Sequence, residues 1–232
     1  MADKFDRIVL AVPDLPQAVA EYQQVLGGEP YMADRTSAAR CAWWGLSNTV
    51  IELVEGVTDS AQLLGIVFSG PGVQHGESAV ANTLGLDIRL CDGSATVGFR
   101  QQQPKAQCAD LCVDHVVLRT DNAQACLDLF GDELGIRLAL DKTVPQWGGR
   151  MLFFRAGKLT LEVIETADAE STASAFWGVA YQCADLASFV QVLNKRGVST
   201  SDIRDGRKPG TLVASLKSHS QGIPTLLIQP AK

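Results

Sequence analysis

The sequence predicts an α+β protein built from tandem βαβββ modules, four units of which one is degenerate. Three observations predict it. The strand-like runs Asp6-Arg7-Ile8-Val9-Leu10 and Asp114-His115-Val116-Val117-Leu118 align at an offset of 108 residues, Arg7 falling on His115. Each run leads into helical spacing that stops at glycine, in Val25-Leu26-Gly27 and again in Leu134-Gly135. Each copy then closes on an apolar, β-branched run with one carboxylate set into it, Glu52 in the first and Glu162 in the second. A repeat of this size governs every later reading of the chain.

In order along the chain, the first strand is followed by Ala18, Val19 and Tyr22 on one helical face, with Asp14 placed to cap the helix. The strand pair Cys41–Gly45 and Thr49–Val54 ends the unit. In the third unit Cys126, Leu127 and Phe130 occupy the helical face and Asn122 the cap. Its strand pair is Arg150–Phe154 and Leu159–Ile164. Two looser copies fill the gaps. Leu64–Phe68 precedes a stretch expected to be helical from Glu77 to Leu84, ending at Gly85, in a unit expected to have lost or reduced a strand. Trp177–Tyr181 precedes an amphipathic helix bearing Leu186, Phe189, Val190 and Leu193, then strands at Gly210–Leu216 and Ile223–Ile228. The expected domains are 1–104, with modules near 5–55 and 62–103, and 105–232, with modules near 112–165 and 175–230. The boundary is placed at the polar, proline-bearing Gln101-Gln102-Gln103-Pro104-Lys105, and a shorter linker at Thr166–Thr172.

Apolar residues make up 46% of the 232 and charged residues 20%, a globular composition. The net charge of −6 without a basic cluster disfavours nucleic acid and anionic membrane as partners. The absence of a long apolar run argues against a transmembrane helix, and the cytoplasm is the expected location. Six scattered cysteines without a CxxC pair read as reduced thiols. Neither GxSxG nor HExxH occurs, which disfavours a serine hydrolase and a zincin.

On Asp114 to Leu118, Leu134-Gly135 and Leu161-Glu162-Val163, with Asp6 to Leu10, Val25 to Gly27 and Ile51 to Leu53 as the second set, the chain resembles the vicinal oxygen chelate superfamily, the glyoxalase, bleomycin-resistance and extradiol-dioxygenase group. The stretch from Arg207 to Thr211 and Gly222-Ile223-Pro224 resembles the glyoxalase-like domain proteins of that group. The resemblance implies two cupped mixed sheets and a divalent metal, zinc, nickel, iron or manganese, held by first- and last-strand residues. It implies His115 and Glu162 as metal ligands. Glu52 matches the glutamate of unit one, as ligand or catalytic base beside Glu162, while Arg7 stands at the histidine position. Gly178 and Leu226 fall at the matching places in unit four, and Gly65 in unit two; none of them ligates.

Two module pairings stay open. Pairing in chain order leaves His115 and Glu162 alone in one cup, short of the three protein ligands of a catalytic site. Pairing of units one and three brings His115, Glu162 and Glu52 together beside Arg7. Arg7 reads either as a clamp for an anionic substrate or as an ion-pair partner of Glu52 replacing the metal. Trp147 and Arg150 lie in a segment expected to cover the mouth of a cup and touch substrate. The lead expectation is a protein that binds a small organic molecule in a sheet-lined cup with a degenerate metal site, or none. The alternatives are a metal-dependent lyase, isomerase or dioxygenase, and a non-catalytic scaffold. A homodimer is one arrangement the resemblance allows.

Overall fold

Strand and helix alternate as the repeat demands. The structure is a computed structural model and describes residues 1–36, 39–56, 58–73, 76–102, 111–144, 149–166 and 173–231. The first unit runs β1 (Lys4–Val12), α1 (Leu15–Leu26), β2 (Tyr31–Thr36), β3 (Ala39–Gly45) and β4 (Val50–Glu55). The second has β5 (Gln62–Ser69), β6 (Glu77–Ala79), β7 (Asp87–Cys91) and α2 (Ser94–Gln102). The third has β8 (Cys112–Thr120), α3 (Ala123–Cys126) continuing as a π-type segment over Leu127–Glu133, β9 (Arg137–Val144), β10 (Gly149–Ala156) and β11 (Leu159–Glu165). The fourth has β12 (Ala175–Gln182), α4 (Leu186–Lys195), β13 (Arg204–Asp205), β14 (Leu212–Ser215) and β15 (Thr225–Gln229).

These strands form two mixed sheets, one with the order β2-β3-β4-β1-β5-β7-β6 and one with the order β13-β14-β15-β12-β8-β11-β10-β9. Units therefore pair in chain order, one with two and three with four. The registers repeat. Val9 faces Glu52 across parallel β1 and β4, as Val117 faces Glu162 across β8 and β11. On their other sides Val9 faces Gly65 and Val117 faces Gly178. Both glycines are required by close approach. A Cβ on Gly65 would stand 2.2 Å from the Asp87 carbonyl oxygen, and one on Gly178 2.7 Å from that of Pro224.

Local chemistry sets the helix ends. Asp14 accepts from the Gln17 amide at 2.9 Å, Asn122 from that of Ala125 at 2.9 Å, and Asp185 from that of Ser188 at 3.0 Å. The helical stretch expected at Glu77 to Leu84 is not formed. Glu77–Ala79 is strand instead, antiparallel to β7. The Asn82 side chain explains much of this. It donates to the Val80 and Leu86 carbonyls at 3.1 and 2.8 Å and accepts from the Leu86 amide at 3.0 Å, tying the backbone into a turn in place of a helix. Unit two thus lacks a helix between its first strand and the rest, and carries α2 after its last strand.

One apolar core runs through both halves, joining Phe5, Leu10, Phe68, Phe130 and Phe154. It contributes most of the stability, at roughly 25 cal/mol per Å² of buried apolar surface. Between the sheets, the Asn48 amide donates to the Val113 carbonyl at 2.7 Å and accepts from its amide at 3.0 Å. The expected boundary beyond Gln102 and the linker at 167–172 lie outside the described residues. No helix among the described residues is long and apolar enough to cross a membrane.

Candidate functional site

Alternation along a strand assigns each side chain to a face. In β1, Ile8, Leu10 and Val12 enter the common core, leaving Arg7, Val9 and Ala11 on the opposite, concave side. In β8, Val116 and Leu118 enter the core, leaving His115, Val117 and Arg119 on that side. The two concave faces are built differently.

The face of the first sheet is filled. Arg7 is 4% exposed and Glu52 1%. The Arg7 guanidinium donates from Nε to Glu52 Oε2 at 3.1 Å, from Nη1 to Asp6 Oδ1 at 2.9 Å, and from Nη2 to Glu77. Burial pulls the guanidinium toward neutrality. Glu52, then Glu77 and Asp6, outweigh that pull, and the pKa stands above the ordinary arginine value. Arg89 extends the network, donating to Glu77 at 2.9 Å and to both Asp87 oxygens at 2.8 and 2.9 Å. The Arg7 guanidinium also lies 5.1 Å from the Trp43 ring centroid. Helix α2 closes over this face: Thr96 donates to Asp6, and Phe99 packs on Trp43 and Tyr31 at ring distances of 5.6 and 5.5 Å. Beneath lie Val9, Ala11, Cys41, Val54, Val67 and Cys91. The cavity by Lys4, Phe5, Asp6, Thr96 and Val97 holds about 20 Å³, on the order of a single water.

The face of the second sheet is less filled. His115 Nε2 stands 3.7 Å from Glu162 Oε2, and both side chains keep some exposure, 18% and 16%. On its other edge His115 Nδ1 meets Asp114 Oδ2 at 2.8 Å. The hydrogen bond from His115 holds the Asp114 carboxyl below the ordinary carboxylate range, against the opposing effect of burial. The register lays neighbours across this face in rows. One row is Leu140, Phe153, Glu162, Val117 and Gly178; another is Lys142, Met151, Ile164 and Arg119. A third carries Arg155, Thr160, His115, Ala180 and Leu226. Arg119 lies over the Trp177 ring, 4.1 Å from its centroid.

The structure thus places Arg7 with Glu52 in the first sheet and His115 with Glu162 in the second. Glu52 belongs to the sheet that does not carry His115, so the three-ligand arrangement that needs units one and three in one sheet is not the pairing found. Arg150 donates to Asp141 at 3.0 and 2.7 Å, on the edge strand β9, and is not the partner of Glu52 or Glu162. Trp147 lies outside the described residues. Sequence reasoning passed over Asp6, Glu77, Thr96, Arg119 and Trp177. Asp6 carried a usable signal, a carboxylate inside an otherwise apolar strand. The others become neighbours only through register or through α2.

Residues 114–214 match the model of the Glyoxalase/Bleomycin resistance protein/Dioxygenase superfamily. Over that segment, which is less than half of the chain, the sequence is similar to this superfamily. The fold of the whole chain is similar to that of several solved structures. A mutant 4-hydroxymandelate synthase from Streptomyces coelicolor superimposes with a TM-score of 0.74 at 14% identity, over 99% of this chain and 93% of that one. The Mn(II)-bound glyoxalase from Novosphingobium aromaticivorans gives 0.68 at 15% identity, over 100% and 83%. A xylose isomerase-like TIM barrel/4-hydroxyphenylpyruvate dioxygenase fusion protein gives 0.67 at 11% identity, over 99% and 49%. No curated protein matches the sequence. At these identities the solved structures establish the fold alone.

The superfamily implies a divalent metal, and the donor set can be tested against it. In the first sheet a cation is already in place. The Arg7 guanidinium takes the Glu52, Asp6 and Glu77 oxygens that a divalent ion would need as ligands. In the second sheet His115 and Glu162 offer two donors, while Gly178, Ala180 and Leu226 in the adjoining strands offer none from their side chains. Among the described residues no group of three or more His, Cys, Asp or Glu side chains converges as a metal site. A catalytic metal held by three protein ligands does not fit these residues.

Proposed function

We propose that the protein binds a small organic molecule on the concave face of the second sheet, without a resident metal, while the first sheet is a structural partner. The observation that carries this reading is the contrast between the two faces. The first is neutralised by Arg7 and covered by α2. The second presents His115, Glu162 and Trp177 with part of their surfaces accessible, beside apolar Phe153, Val117 and Ile164. An apolar surface with a few convergent polar groups is what a small-molecule site requires.

A second reading, a divalent-metal enzyme, draws support from one feature. His115 Nε2 and Glu162 Oε2 converge at 3.7 Å, and Asp114 orients the imidazole as carboxylates commonly do behind metal-bound histidines. Elemental analysis of protein purified without an affinity tag separates the two. The first reading expects less than about 0.2 metal per chain, far from the saturation a three-ligand site produces. A stoichiometric metal that His115→Ala abolishes would establish the second. A melting shift with a small-molecule panel then supports binding, since a ligand at about 100 times its Kd adds ~2.7 kcal/mol; a flat panel counts against it.

A further inference from the structure

We infer that Arg119, seated on Trp177, is an anion anchor, and that the ligand of the second sheet is an elongated organic anion. The inference rests on the concave face of that sheet being the binding site, and it names the chemistry of what binds there. Arg119 shares that face with His115 and Val117, because Val116 and Leu118 point into the core. Its guanidinium carbon lies over an aromatic ring, 4.1 Å from the Trp177 centroid, and Trp177 itself is 41% exposed.

A guanidinium seated on a ring through its π face keeps its N–H donors available to a ligand. Their planar fork matches the two oxygens of a carboxylate or phosphate. Arg7, Arg89 and Arg150 donate to carboxylates, and Arg155 to the Gly157 carbonyl and Thr160. Among the described residues, Arg119 instead rests on the Trp177 ring. Lys142 stands in the same cross-strand row, beyond Ile164 and Met151, and adds a second cation to this end of the face. The chain as a whole carries −6, so this local cationic end is not a consequence of average composition.

Strand geometry supplies a ruler. Arg119 is four residues from His115 on one strand, about 13 Å at ~3.3 Å per residue. Between them lies the row of Val117, Gly178, Glu162 and Phe153, apolar except for the Glu162 carboxylate, which approaches His115. A ligand that engages both ends therefore has an anionic head, an apolar body spanning several bonds, and a polar or unsaturated far end near His115 and Glu162. A compact dianion or a neutral hydrocarbon does not match both ends.

The test is calorimetric titration of the intact chain with 4-phenylbutyrate, 4-phenylbutyl phosphate and the neutral 4-phenylbutanol, at low salt. The two anions should bind at least about tenfold more tightly than the alcohol, a factor that 1.4 kcal/mol accounts for. Arg119→Ala should remove that preference and leave the alcohol's affinity unchanged. Arg119→Lys should keep part of it, because charge survives and the planar fork does not. Tighter phosphate than carboxylate binding assigns the head to a phosphate ester, and the reverse order to a carboxylic acid; both support the anchor. Arg119 is solvent-exposed, so both variants should melt with the parent protein. Equal binding of acid and alcohol overturns the anchor while leaving the cup as the site. A preference that persists in Arg119→Ala does the same. Failure of all three probes to bind at about 10 mM overturns both.

Discussion

Arg7 holds in its sheet the place His115 holds in its own. Each sits two residues before the valine that faces a glutamate across a parallel strand pair, Val9 opposite Glu52 and Val117 opposite Glu162. One position therefore carries a permanent cation and the other an imidazole. The guanidinium fills its site by pairing with Glu52, Asp6 and Glu77. The imidazole leaves its partner glutamate 3.7 Å away and partly accessible.

Arg7 should be the costliest charged residue to remove. Arg7→Met leaves Glu52 at 1% exposure and Asp6 at 3% without their guanidinium. Breaking a buried ion pair from one side costs about 3–5 kcal/mol. Urea unfolding should show a loss of that order, and adding Glu52→Gln should recover part of it.

Thiol reactivity should follow burial. Burial pushes the Cys91 and Cys126 thiols up to about 12 and Cys183 up to about 11, and half-buried Cys112 is raised as well. The thiolate is the reactive form, so a raised pKa lowers its fraction at pH 8 and the rate climbs as pH rises toward the pKa. Alkylation followed by peptide mapping should modify Cys112 before Cys91, Cys126 and Cys183. Equal rates would contradict the burial described.

The cover over the first sheet can be opened. Phe99 is 7% exposed and packs on Trp43 and Tyr31. Phe99→Ala should cost about 3 kcal/mol or more. It should also speed amide exchange in α2, with the second sheet unaffected.

Gly65 and Gly178 should resist any side chain. Alanine at either would force a Cβ against a neighbouring carbonyl oxygen, at 2.2 or 2.7 Å. Overpacking against backbone costs about 1–3 kcal/mol or more. Melting of Gly65→Ala and Gly178→Ala should both fall, and unchanged melting would place the strands farther apart than described.

The repeat was legible because it is written in strand registers. The Arg7-to-His115 and Glu52-to-Glu162 offsets reappear as the same pairings in both sheets. The caps Asp14 and Asn122 were legible because capping is local. Unit two was misjudged because Glu77 to Leu84 has a helix-like composition, while Glu77 is held by Arg7 and Arg89 and Asn82 ties a turn. Both facts depend on residues far away or on one side chain's competition for the backbone. The pairing of Glu52 with Arg7 was among the readings the sequence offered. The partners Glu77 and Thr96, and the placement of Arg119 on Trp177, were not, because they arise from β6, from α2 and from the β12 bulge around Trp177.

The central claim, one covered face and one binding face, is tested most directly by amide exchange with and without saturating 4-phenylbutyrate. Ligand should slow exchange around 113–120, 160–165 and 175–182 and leave 5–12 and 50–55 unchanged. Protection confined to the strands bearing Arg7 and Glu52, with none around His115 and Glu162, would contradict it.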